Sequence, residues 1–146
     1  MTAAAGSGGL YQELIIDHSR TPEGRGATDG WAPRAHQVNP TCGDEVTLGI
    51  RVEDDRVAEV RWEGRGCAIS QASASMLVGV VDGAPVPQVL ERIAEFRAVM
   101  RGRGTLQLDP EAFGDAVALD GVARYVGRVK CAILPWTALE EALAGR

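Results

Sequence analysis

The stretch Val46-Thr-Leu-Gly-Ile-Arg-Val-Glu-Asp-Asp-Arg-Val-Ala-Glu-Val-Arg-Trp62 decides the fold. Val46, Leu48, Ile50 and Val52 alternate with polar or small residues, Asp54-Asp55 can turn the chain, and Ala58, Val60 and Trp62 alternate again. A period of two puts one set of side chains on one face of a sheet, so the stretch predicts two antiparallel strands joined as a hairpin. The pattern leaves the number of further strands open.

Beyond the hairpin, Gly64-Arg-Gly66 breaks the second strand, Cys67 follows, and Ile69 to Val81 reads as a helix with Ser70 as its N-cap. Pro85 to Met100 places Val86, Val89, Leu90, Ile93 and Phe96 on one helical face and stops at Arg101-Gly-Arg-Gly104. Asp109-Pro110-Glu111 sets an N-cap before proline at the first helical position, and Leu119 to Leu143 holds two further helical patterns around Cys131. Before the hairpin, Thr21 to Thr41 is dense in Gly, Pro, Asn and Asp and reads as a long ordered loop anchored by Trp31 and Val38. Leu10 to Ser19 carries Leu10, Leu14 and Ile15 at helical spacing, and residues 1–9 read as a disordered tail. The order helix, strands, helices predicts an α+β fold, a single domain over 10–146 with a small antiparallel sheet packed against several helices.

A chain of 146 residues, 45% hydrophobic, suits one such domain. The formal charge is −5 and Lys130 is the lone lysine, which argues against a nucleic-acid partner. The first residues have neither the basic nor the apolar region of a secretory signal. The longest apolar run, Met76 to Val81, falls far short of the roughly 20 residues that cross a bilayer, so a cytoplasmic protein without membrane contact is expected. Three cysteines in such a chain favour free or metal-bound thiols over a disulfide framework.

Those cysteines all fall at ends of elements. Cys42-Gly43-Asp44 closes the long loop, Cys67 stands at a strand-to-helix junction, and Cys131 lies beside a late helix. Ends of elements are where distant segments converge, and three thiolates with one carboxylate make a tetrahedral set suited to zinc. Such a set closes the metal's shell unless one ligand leaves, unlike a hydrolytic site with its open position. Spacing alone leaves a second reading open, since buried cysteines often act as small hydrophobes and Cys-x-Asp lacks the paired Cys-x-x-Cys knuckles of zinc ribbons. Gly43 and Gly66 would let backbone amides approach the sulfurs, or serve only the turns. Arg65, Arg128 and Lys130 would offset the charge of the donors, or sit in solvent. His18, at the polar end of the first helix, and His36, in the loop, rank below the cysteines as ligands.

Four segments, Leu10-Tyr-Gln-Glu-Leu-Ile-Ile-Asp-His18, Asn39-Pro-Thr-Cys-Gly-Asp44, Gly64-Arg-Gly-Cys-Ala-Ile-Ser70 and Val129-Lys-Cys131, together resemble the U-type iron-sulfur scaffold family (IscU/SufU, NifU N-terminal-like) from Leu10 to about Leu143. The resemblance is to the SufU branch, because a segment around 96–125 reads as inserted before the last cysteine. Lys130 stands where the IscU branch carries histidine, and that branch's Leu-Pro-Pro chaperone motif is missing from Arg124 to Lys130, so dependence on an Hsp70-type chaperone is not expected. The resemblance implies Cys42, Asp44, Cys67 and Cys131 as zinc ligands, a SufS-type cysteine desulfurase as partner, and downstream iron-sulfur assembly components beyond it. It further implies a zinc-dependent sulfurtransferase role, in which a partner histidine takes the place of Cys42 on the metal and the freed thiolate accepts persulfide sulfur. Cys131 is the other candidate acceptor. Two rival functions keep the same residues: a scaffold carrying a transient iron-sulfur cluster, and a structural zinc-binding module.

Overall fold

The computed structural model describes residues 3–146. The expected hairpin is β2 (Asp44–Glu53) and β3 (Arg56–Arg65), antiparallel with Leu48 opposite Trp62 and Ile50 opposite Val60. Asp54 and Asp55 sit at φ 52° and 58°, the mirror-image turn whose twist suits a hairpin, and aspartate tolerates it better than most residues. A register shift between Arg51 and Val52 bends the far end of the hairpin.

The region read as a loop, Thr21 to Thr41, contains a third strand. β1 (Arg34–Asn39) pairs antiparallel with β2, giving the sheet order β1-β2-β3. Only Ala35 and Asn39 of β1 are buried, so no apolar alternation marks it in the sequence. Trp31 caps the solvent side of the sheet, with the guanidinium groups of Arg51 and Arg61 at 4.4 and 5.1 Å from its ring centre. A Cβ on Gly49 would lie 2.6 Å from the Cβ of Trp31, so glycine is what lets Trp31 come this close to the strand.

α1 (Ala3–Arg20) begins within the stretch read as a tail and so exceeds the expected Leu10 to Ser19. Gly6, Gly8 and Gly9 are poor helix formers, which is why the sequence does not mark this first stretch as helical. Met1 and Thr2 of that stretch lie outside the described residues. α2 (Ala68–Val81) is capped by Cys67 rather than Ser70, because the Ser70 hydroxyl, already inside the first turn, donates back to the Cys67 carbonyl at 3.0 Å. α3 (Val86–Arg101) runs as expected and stops at Gly102. α4 (Pro110–Phe113) has Asp109 accepting from the Glu111 amide at 3.1 Å, and the expected pair of helical patterns resolves into a 3₁₀ helix (Gly114–Arg124) and α5 (Val126–Ala144).

α5 lies against β1 and β2 and α2 against β3, burying Leu48, Ile50 and Trp62 beneath them. α3, α4 and the 3₁₀ helix wrap α5 and α2 from outside. Phe96 stacks on Trp136 with ring centres 4.2 Å apart and planes at 10°, and Phe113 lies 6.1 Å from Trp136. The segment around 96–125 therefore supplies part of one continuous core, and the molecule is a single α+β domain as expected.

Asp120 of the 3₁₀ helix accepts from the Leu108 amide at 3.0 Å, and burial pushes its carboxyl pKa up against the opposing pull of that bond. A carboxyl whose folded pKa is raised stabilises the fold fully below its unfolded pKa and loses that contribution as pH rises through the folded pKa. Asp120→Asn keeps the acceptor oxygen and removes the charge. Its melting temperature should match or exceed that of the parent at pH 7, and the advantage should vanish on acidification to about pH 4, near the carboxyl's unfolded value. A lower melting temperature at pH 7 would show that the charge itself is wanted there.

Candidate metal centre

Three elements bring the thiols together. Cys42 lies in the turn between β1 and β2, where Gly43 takes φ 77° and donates its amide to the Asn39 carbonyl at 2.8 Å. Asp44 is the first residue of β2, paired with Asn39, and is 1% exposed. Cys67 ends the β3-to-α2 connection, and Cys131 lies within the first two turns of α5. Pro135 has no amide hydrogen, so it cannot donate to the Cys131 carbonyl four residues earlier.

The ligand atoms of Cys42, Asp44 and Cys131 lie within 4.8 Å of one another. The Cys42 thiol donates to Asp44 Oδ2 at 3.0 Å, with its sulfur 3.6 Å from that of Cys131. Cys67 adds two contacts to the same carboxylate, its amide donating to Oδ1 at 2.9 Å and its thiol to Oδ2 at 3.7 Å. The four residues named from sequence thus surround one point, although the Cys67 sulfur stands outside the tightest group. Exposure is graded: Cys42 is exposed, Cys67 half-buried and Cys131 buried.

Electrostatics fit a dication in place of protons. Burial raises the Asp44 carboxyl, but hydrogen bonds from the Cys42 and Cys131 thiols and from the Cys67 amide and thiol outweigh it and hold the group below the usual carboxylate range. Burial pushes the Cys131 thiol well above its ordinary value, and the neighbouring Asp44, Cys42 and Cys67 push it further. Three cysteine sulfurs gathered on an ionised, buried carboxylate are a donor set from which a thiophilic dication displaces the thiol protons.

Sequence reasoning missed how Gly66 acts. A Cβ there would stand 2.2 Å from Asp44 Oδ1, so the missing side chain admits the carboxylate itself, while Gly43 serves only its turn. Arg65 pairs with Glu45 at 3.3 Å, and Lys130 faces a neighbouring groove. His18 is engaged elsewhere: Ser75 Oγ accepts from the Glu23 amide and bonds His18 Nδ1 at 2.7 Å, leaving Nε2 to donate to Asp115 at 3.0 Å. His36 bonds Thr47 Oγ1 at 2.8 Å. Among the described residues, neither histidine joins the cysteine and aspartate group. Among the described residues, no helix is long and apolar enough to cross a membrane.

A three-stranded sheet that carries thiols and a carboxylate at its end, roofed by helices, defines an assembly domain of the U type expected from the four motifs. The NifU-like N terminal domain profile matches residues 10–132, and the chain belongs to that family. The zinc-dependent sulfurtransferase SufU of Bacillus subtilis is 36% identical over 135 residues, covering 92% of this chain and 90% of that protein. The iron-sulfur cluster assembly scaffold protein IscU of Thermotoga maritima is 36% identical over 134 residues and 92% of each chain. A solved structure from Fervidobacterium islandicum AW-1, assigned as an iron-sulfur cluster assembly scaffold for the SUF system, superposes with TM-score 0.81 at 34% identity, covering 90% of this chain and 94% of that one.

Proposed function

We propose that this protein serves iron-sulfur cluster assembly as a zinc-dependent sulfur carrier, taking persulfide sulfur from a SufS-type cysteine desulfurase onto Cys42. The observation that carries the reading is the graded exposure of one thiol cluster: Cys42 faces solvent while Asp44 and Cys131 are buried behind it. A partner can reach Cys42 without opening the domain. Cys42, Asp44, Cys67 and Cys131 would hold the zinc, and the metal would supply thiolates that stay deprotonated at neutral pH. Likeness to the Bacillus subtilis sulfurtransferase over nearly the whole chain supports the same reading.

The chemistry on Cys42 is thiol exchange. Its thiolate attacks the terminal sulfur of the partner's persulfide, the partner's sulfur-sulfur bond breaks, a new one forms on Cys42, and the partner cysteine leaves as thiolate. No net oxidant is needed. Free thiols of this kind belong in a reducing compartment, which agrees with a cytoplasmic location. Before the thiol gives up its proton, its 3.0 Å donation to the buried, ionised Asp44 keeps Cys42 beside the other donors.

Cysteine desulfurase turnover with the protein zinc-loaded and zinc-stripped tests this. Stimulation by the loaded form alone, with sulfur recovered on the Cys42 peptide by mass spectrometry, is the expected result. Stimulation in neither form, with a coloured cluster assembling on the protein instead, would move it to the scaffold role named for the Thermotoga maritima relative.

A further inference from the structure

A groove of about 530 Å³ is lined by Pro40 and Thr41, the two residues that lead into Cys42. Lys130, which precedes Cys131, lines it too, with Arg101 at the end of α3 and Arg103 in the turn that follows. Val38 and Val126, 47% and 65% exposed, line it as well. The molecule is acidic, yet no carboxylate lines this groove, and Arg101, Arg103 and Lys130 enter no ion pair among the described residues.

Arg103 has a second peculiarity. It sits at φ 56°, flanked by Gly102 and Gly104. A left-handed backbone costs a residue with a Cβ about 1–2 kcal/mol, and glycine would cost nothing there. Arg101 in the last turn of α3 suits the helix dipole, but no such local gain attaches to Arg103. Its guanidinium is kept on the groove against its own backbone preference.

We propose that this groove docks an acidic segment, carrying at least one apolar side chain, of the desulfurase that delivers sulfur to Cys42. The inference rests on the sulfur-acceptor reading above. Three cations with no ion-pair partner among the described residues fit carboxylates of opposite sign, and the exposed valines fit a peptide better than a bare inorganic anion. The volume holds a few side chains rather than a domain, so the segment acts as an anchor that seats the rest of the donor over Cys42. Thr41 on the groove is followed directly by Cys42, and Lys130 by Cys131, so a segment seated there lies one residue from two of the thiols.

The test is a calorimetric titration of the zinc-loaded protein with the cysteine desulfurase at low and high salt, for the parent, for Arg101→Glu/Arg103→Glu, and for Arg101→Gln/Arg103→Gly. The last pair removes both charges while easing the left-handed backbone, so its melting temperature should not fall. Both double variants should bind about tenfold more weakly or worse and lose most of the salt dependence, as expected when two charge pairs are forfeited. Sulfuration of Cys42 by sodium polysulfide, which needs no docking, and zinc content should stay at parental levels. Parental affinity and salt dependence in the variants would overturn the proposal, as would an equal loss of polysulfide sulfuration. If the parent binds the desulfurase but does not raise its turnover, the sulfur-acceptor reading fails while the groove is still judged by the variants. If the parent does not bind at all, both fall.

Discussion

Gly66→Ala should cost the protein about 10–100-fold in zinc affinity while leaving its fold intact, the range typical when the support behind a metal ligand is removed. The added Cβ would fall 2.2 Å from Asp44 Oδ1 and 2.6 Å from Ser70 Oγ. Asp44 is fixed in β2 by its pairing with Asn39 and is almost wholly buried, so its carboxylate has no solvent to swing into. It can only turn from the Cys67 amide that it now accepts from at 2.9 Å, which misaims the one oxygen donor among three sulfurs. Competition against a chromophoric chelator measures the affinity, and circular dichroism reports the fold. Parental affinity would mean that Asp44 does not face the metal.

Trp136→Ala should remove about 3–5 kcal/mol of stability, the usual cost of truncating a buried tryptophan. Set against a total of about 5–15 kcal/mol for a domain, that brings the metal-free protein close to unfolding at working temperature. Phe96 would lose the face it stacks on at 4.2 Å, and Phe113 its second neighbour. The indole nitrogen also donates to Ser73 Oγ at 3.0 Å, while the Ser73 hydroxyl donates to the Ala132 carbonyl at 2.6 Å, so α2 and α5 lose a polar tie as well. Zinc should restore part of the loss by mass action, since it binds the folded form preferentially. Urea melts of the parent and of Trp136→Ala, with and without zinc, measure the difference. A loss under about 1 kcal/mol in Trp136→Ala would mean the site collapses onto the gap far better than aromatic cores usually do.

The hairpin, α3 and the cap at Asp109 were legible because each has a local cause: strict alternation in Val46 to Trp62, one apolar face in Val86 to Phe96, and Asp-Pro at a helix start. β1 was not, because its partner is β2 rather than its own side-chain pattern, and pairing with a distant strand leaves no mark on Arg34 to Asn39. The N-cap of α2 was misassigned because serine is the commoner cap, yet here Cys67 holds the extended backbone and Ser70 folds back onto it. At the site, residue types and element ends suggested the cysteines and the four motifs of the resemblance named the donor set, although Cys131 lies inside α5 rather than beside it. What one-dimensional reading could not supply was depth: which thiol is exposed, and that Gly66 yields space to a carboxylate rather than to a sulfur.

The scatter of the donors along the chain also has a consequence in time. Cys42, Asp44 and Cys67 leave the ribosome with the sheet, whereas Cys131 follows only after α2, α3, α4 and the 3₁₀ helix have been made. At about 5–20 residues per second, several seconds of synthesis separate the first thiol from the last. During that interval the nascent sheet would offer a metal only three of the four proposed donors. On the zinc-carrier reading, loading is therefore expected to be completed only once α5 has docked.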